Sequence, residues 1–272
     1  MILLVAIDFS ETSITVLKKA FFLAQKHEGE VHVLHVVEGA WFTMKQDLKS
    51  IQAHNWERLH QQFPQLEKKA FHCTQGNIVR EISELSEKIG ATMLVLGSSG
   101  ENYMFKELLV GSTTKNIIQN AQVPVLVVKN DKEPEPTHIL IPTNFSDHSK
   151  KVVEETASIF KEAKLTLLNI YDIPFEGRLR VYGFSDSDVA DYNMQLIAQE
   201  ELNAEIFLRS LQLPKERVEM FKRKGPLSHS LFLEESKSHA TDMISLHTSG
   251  SLSFFALDVL EESDQDVLIF KF

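Results

Sequence analysis

Apolar and polar positions follow two rhythms along this chain. Residues 2–7 form an unbroken apolar run, the pattern of a strand buried on both faces. Ile14, Leu17, Phe21 and Ala24 then recur at helical spacing, which predicts a helix that Ser10 caps and Gly29 stops. Residues 31–37 read as a second strand, 44–63 as a helix and 68–74 as a third strand. Ile78, Ile82, Leu85 and Ile89 make another apolar helix face, closed by Gly90. Residues 93–96 and 123–128 complete the strands, with a helix near 113–120 between them. Buried strands alternating with amphipathic helices imply an α/β fold, an open parallel five-stranded sheet with helices on both faces.

The pattern then repeats. The opening ILLVAIDFSETS returns as HILIPTNFSDHS, so that Asp8, Phe9, Ser10 and Ser13 match Asn144, Phe145, Ser146 and Ser149, each 136 positions on. Residues 31–37 match 165–171, 91–100 match 241–250, and 125–129 match 267–271. Ordered matches of this kind predict a duplicated domain, one copy over 1–130 and the other over 138–272. Residues 131–137 carry two prolines and alternating charges, the composition of a short, stiff linker.

Composition narrows the partners. The 272 residues are 43% hydrophobic and 24% charged, enough apolar material for two cores. The net charge of −10 repels phosphate backbones and anionic membranes, so neither nucleic acid nor membrane is an expected partner. No apolar run approaches the ~20 residues that cross a bilayer. The apolar start has no basic flank and meets Asp8 and Glu11 at once, unlike a secretory signal. The single cysteine, Cys73, excludes an internal disulfide and a cysteine-based zinc site. These features predict a cytoplasmic protein. The eleven histidines show no metal-ligand spacing.

In an open parallel sheet, ligands bind beyond the carboxyl ends of the strands, where strand order reverses. Asp8 ends the first strand and Val36 lies at the end of the second. Gly97-Ser98-Ser99-Gly100 follows the fourth, and Gly111-Ser112-Thr113-Thr114 opens the last helix. The glycines allow close approach of backbone N–H groups to phosphate oxygens, and the helix start with the Ser112 and Thr113 hydroxyls can hold an anion. Lys106 or Lys115 could offset phosphate charge. Asp8 has two readings that can coexist, a helix cap or an acceptor for an adenine amino or ribose hydroxyl. Ser112, Thr113 and Thr114 equally suit helix caps or modification sites. No Gly-x-Ser-x-Gly elbow, carboxylate pair or Cys/His pair stands at catalytic spacing, so an enzyme is not expected, although slow ATP hydrolysis or autophosphorylation stays open.

The DFSETS opening, the LHVV second strand and the GSSG…GST stretch before VPVLVV resemble the universal stress protein (UspA) family, in a tandem two-domain form covering nearly the whole chain. The resemblance implies a Rossmann-like domain of the adenine nucleotide alpha hydrolase type, used twice, and a stress-response regulator. It also implies ATP, with Mg²⁺ carried in by the nucleotide, held by Asp8, Val36, Gly97, Gly100, Gly111, Ser112 and Thr113. It implies a homodimer as well, and pairing of the two copies through their last strands. The family's nucleotide-binding branch has Gly-x2-Gly-x9-Gly-Ser/Thr, whereas ten residues separate Gly100 from Gly111 here. In the second copy Asn144 stands for Asp8 and His247 for Gly97. Gly100 to Val125 is 25 positions, but Gly250 to Val267 only 17. A degenerate second site is therefore expected, and the alternative function is a dimeric scaffold that binds no nucleotide. Residues 173–188, with Phe175, Tyr182 and Phe184 beside two arginines, read either as a loop tucked onto its own domain or as an interface.

Overall fold

The computed structural model describes residues 1–37, 48–98, 110–132, 135–174, 176–248 and 253–272. In the first repeat, β1 (Ile2–Ala6) leads to α1 (Glu11–Lys26), β2 (Glu30–Val37), α2 (Leu48–Gln62), β3 (Phe71–Gln75), α3 (Ile78–Ile89), β4 (Met93–Gly97), α4 (Ser112–Asn120) and β5 (Val125–Val128). The strands lie in the order β3-β2-β1-β4-β5, all parallel. Leu3, Leu4 and Val5 of β1 are fully buried, as an apolar run covered on both faces requires. The chain steps outward from β1 to β3, then returns to the far side of β1 at β4. Right-handed crossovers thus put α1 and α2 on one face, α3 and α4 on the other. Phe21 of α1 stacks on Phe63, just past α2, at 5.3 Å.

Two local details depart from the sequence pattern. Helix α1 ends at Lys26, and Glu28 takes the left-handed conformation that closes it (φ 48°). Gly29 is required for a different reason, close approach of the chain start. A Cβ there would stand 2.4 Å from the Met1 carbonyl oxygen, which accepts from Glu30 N at 2.9 Å. Residues 68–70 form a 3-10 turn rather than strand, because ladder pairing begins only at Phe71, opposite Val33. The expected helix start at 44–47 lies outside the described residues.

The second repeat runs β6 (His138–Pro142), α5 (Asp147–Ile159), β7 (Lys164–Tyr171), α6 (Glu176–Val181), α7 (Asp186–Ser210), β8 (Val218–Lys224), α8 (His229–Ser238), β9 (Met243–Thr248), α9 (Phe254–Glu262) and β10 (Asp266–Lys271). Strands β9, β6, β7 and β8 are parallel neighbours in that order. The stretch 173–188 holds the short helix α6, and Tyr182 and Phe184 stand 71% and 51% exposed rather than tucked in. Phe175 lies outside the described residues.

The chain forms two compact units, Met1–Glu135 with Thr248–Phe272, and Pro136–His247. Helix α9 and strand β10, the end of the second repeat in sequence, thus belong to the first unit. Strand β10 runs antiparallel to β5, with Val267 opposite Val127 and Ile269 opposite Val125, and its residues 266–270 are buried. A buried ion pair fastens it: Lys19 Nζ of α1 lies 2.5 Å from Asp266 Oδ2, with both side chains below a tenth exposed. Lys129 N donates to the other oxygen, Asp266 Oδ1, at 2.9 Å. Lys129 Nζ donates to Leu260 O at 2.7 Å, and Lys271 Nζ to Gln119 O at 2.6 Å.

At the other edge, His32 Nδ1 and His72 Nε2 are 3.0 Å apart, so only one proton fits between the rings. Burial first, then the charges of His32 and Lys88, lower the His72 pKa to about 4.

Asp266→Ala leaves the Lys19 ammonium buried without its counter-charge and should cost about 3–5 kcal/mol in urea unfolding, most of it recovered when Lys19→Met is added. For His72 the folded pKa lies below the unfolded one, so the unfolded chain binds more protons between pH 6.5 and 4, and stability falls as pH drops through that window. His72→Gln should flatten this fall, by on the order of 1 kcal/mol for a half-buried ring, in unfolding curves recorded across the window.

Candidate functional site

Strand order reverses between β1 and β4, so the ends of these two strands form the switch point of the first unit. Beyond β1, Phe9 takes a left-handed backbone (φ 64°), unusual for a bulky residue. This turn brings Ser10 N to Asp8 Oδ1 at 3.0 Å, while Ser13 Oγ donates to the same oxygen at 2.7 Å. Ser10 Oγ in turn accepts from Ser13 N as the N-cap of α1. Phe9 is held edge-on to His35 of β2, centroids 4.7 Å apart, and Arg58 of α2 lies over its ring. His35 Nδ1 bonds Ile7 O at 3.1 Å.

The second unit repeats this turn almost atom for atom. Phe145 also has φ 64°, and Asn144 Oδ1 accepts from Ser146 N at 3.2 Å and Ser149 Oγ at 2.8 Å. Since an amide oxygen serves the cap there, the cap needs one oxygen only. The second carboxylate oxygen of Asp8 is what separates the first unit from the second at this position.

On the β4 side, Gly97 ends the strand and Ser98 N donates to Val128 O. Gly111 N donates to Ser98 O at 3.0 Å, and the Thr114 hydroxyl donates to Gly97 O at 3.2 Å, which draws the start of α4 to the end of β4. Among the described N-caps, Ser10, Asn77, Ser146, Ser185, Ser228 and Ser253 each supply a side-chain acceptor. Helix α4 begins at Gly111 without one. Among the described residues, the nearest atom to a Cβ at Gly111 would be Ser98 O at 4.0 Å. The first N–H groups of α4 and its exposed Ser112 and Thr113 hydroxyls are chemistry for an anion, with the helix dipole in support.

Asp8, Gly97 and Gly111 thus converge at the switch point, and Ser112 and Thr113 follow Gly111. Val36 is buried one strand away on β2, opposite Thr74. Gly100 and Lys106 lie outside the described residues. Lys115 points elsewhere, into an ion pair with Glu261 of α9. The sequence pattern assigns no part to His35. The repeat carries the signal, because the matching Asn169 makes the matching bond, Nδ2 to Thr143 O at 2.9 Å.

In the second unit His247 fills the Gly97 position, its ring 5.8 Å from that of His148, and burial followed by the charge of His148 lowers its pKa. Among the described residues no three His, Cys, Asp or Glu side chains converge on a metal position. No helix of the described residues is long and apolar enough to cross a membrane. A cavity of about 670 Å³ lies between α1 and the chain entering β3, but it borders Glu30 at the start of β2, at the opposite strand ends from Asp8.

Comparison with known proteins agrees with this frame. Residues 1–129 match the model of the universal stress protein family. A universal stress protein of Methanocaldococcus jannaschii is 28% identical over 137 residues, covering 46% of this chain and 80% of the relative. Universal stress protein G of Shigella flexneri is 30% identical over 131 residues, 44% of this chain and 90% of the relative. The crystal structure of a universal stress protein from Archaeoglobus fulgidus superposes over 99% of this chain and 96% of its own, with TM-score 0.64 and 20% identity, a likeness of fold across both repeats. The chain belongs to the universal stress protein family.

Proposed function

We propose that the first unit binds an adenine nucleotide, ATP with its Mg²⁺, and that the protein is a cytoplasmic, non-catalytic regulator whose conformation or assembly responds to that ligand. The start of α4 carries this reading: among the α-helices whose N-cap is described it is the one without a side-chain acceptor, and it stands beside Gly97. In this reading the phosphates lie against the N–H groups of residues 111–113 and the hydroxyls of Ser112 and Thr113, and Gly100 belongs to the same binding set. Asp8 accepts from the nucleoside, and Val36 borders it. The two sequence repeats descend from one duplicated domain, residues 1–130 and 138–272 about a 131–137 linker. The antiparallel β5–β10 contact is then the pairing of last strands, kept within one chain, and a homodimer forms through other surfaces.

A second reading, a scaffold that takes no nucleotide, draws support from Lys115, whose charge is spent on Glu261 rather than offered to a phosphate.

Denaturing freshly purified protein and analysing the supernatant should yield about one adenine nucleotide per chain, and calorimetry on emptied protein should show ATP binding. No nucleotide and no heat would leave the scaffold. Asp8→Asn should preserve the cap, as Asn144 does, leaving stability within about 0.5 kcal/mol while nucleotide affinity falls at least tenfold; unchanged affinity would reduce Asp8 to a cap. Gly111→Asp, which the ordinary φ of −60° admits, should set a negative charge against the phosphates and abolish binding. Equal affinity in that variant would put the site elsewhere.

A further inference from the structure

The second unit carries Asn144 and His247 where the first has Asp8 and Gly97, and it has a cavity of its own. About 620 Å³ opens beyond the carboxyl ends of β6 and β7, walled by the first turn of α5 and by α7. Asn169 of β7 belongs to this wall, is 5% exposed, and has a buried Oδ1 with no hydrogen-bond partner among the described residues. The amide orientation follows from its neighbour, since the Thr143 carbonyl must receive the Nδ2 donor at 2.9 Å. A buried acceptor is therefore presented with nothing to accept from, which is costly unless a ligand or water supplies the donor. In the first unit His35 occupies this position and bonds Ile7 O through its ring, bringing no such oxygen.

The rest of the wall defines the ligand. Asn144, Ser146, Asn203 and Ser210 provide amide and hydroxyl groups. Phe145 and Phe207, centroids 5.5 Å apart, provide an apolar face. Among the described residues of the wall the charges are Asp147, Lys150 and Glu200, so carboxylates outnumber cations and a phosphate finds no cradle. Hydroxyl groups both donate and accept, as the amides and the Asn169 oxygen demand, and the C–H faces of a sugar ring suit the aromatic wall. We propose that this cavity binds a neutral polyhydroxylated molecule, a sugar or cyclic polyol, whose O–H donates to Asn169 Oδ1.

Saturation-transfer NMR and calorimetry on the full chain, with D-glucose, maltose, myo-inositol, adenosine and ATP as probes, test this. At least one of the three polyols should bind, equally well in wild type and in Gly111→Asp. Asn169→Leu should weaken that binding at least tenfold with the circular dichroism unchanged. Should that variant fail to fold, Asn203→Phe on the half-buried side of α7 fills the cavity and should weaken binding likewise. The proposal is overturned if none of the three polyols binds at about 10 mM, near the millimolar end of specific affinities, if polyol binding survives in a folded Asn169→Leu or in Asn203→Phe, or if adenosine or ATP alone responds to these substitutions.

Discussion

A single turn sets the geometry of both units. At Phe9 and again at Phe145 a bulky residue is held with φ 64°, a conformation that costs about 1–2 kcal/mol for an L side chain. The offset is local: one side-chain oxygen, from Asp8 or Asn144, accepts from the backbone N–H two residues on and from a serine hydroxyl five residues on. The aromatic ring thrown outward is then caught, by His35 in one unit and Phe207 in the other. Without this turn the first helix would not begin where it does, and its N-terminus would not face the switch point of the sheet.

The same frame carries different side chains in the two units. In the first unit a carboxylate stands at position 8, and α4 begins at a glycine with no side-chain cap. In the second repeat of the sequence, an amide and an imidazole stand at the positions of Asp8 and Gly97, and α9 is capped by its own Ser253. Chemistry lost at one place returns at another: exchanging histidine for asparagine on the second strand replaces a satisfied ring with an amide that satisfies only half of itself.

Most of the local structure was legible because it is written in local periods. Apolar runs marked β1, β4 and β5, helical spacing marked α1 and α3, and Ser10 and Gly90 took the capping roles their chemistry suits. What escaped depends on partners far along the chain. The need for glycine at position 29 comes from the Met1 carbonyl, and the engagement of Lys115 from Glu261. The 25-residue α7 has exposed apolar positions such as Met194 and Leu202 that blur its pattern, so no clean stripe announced it. The candidate site was legible as a set of residue types, whereas the sufficiency of one oxygen for the cap became visible only when the two copies could be compared.

The placement of β10 bears on the order of events at the ribosome. Residues 248–272 complete the first unit, yet the whole of Pro136–His247 is synthesised before them. Until they emerge, the edge of β5 stays bare and Lys19 has no counter-charge at Asp266. Closure joins residues 247 apart in sequence, the kind of long-range contact that slows folding. The second unit, whose contacts lie within one continuous stretch, is therefore free to mature first, and the N-terminal half of the protein waits for its last strand.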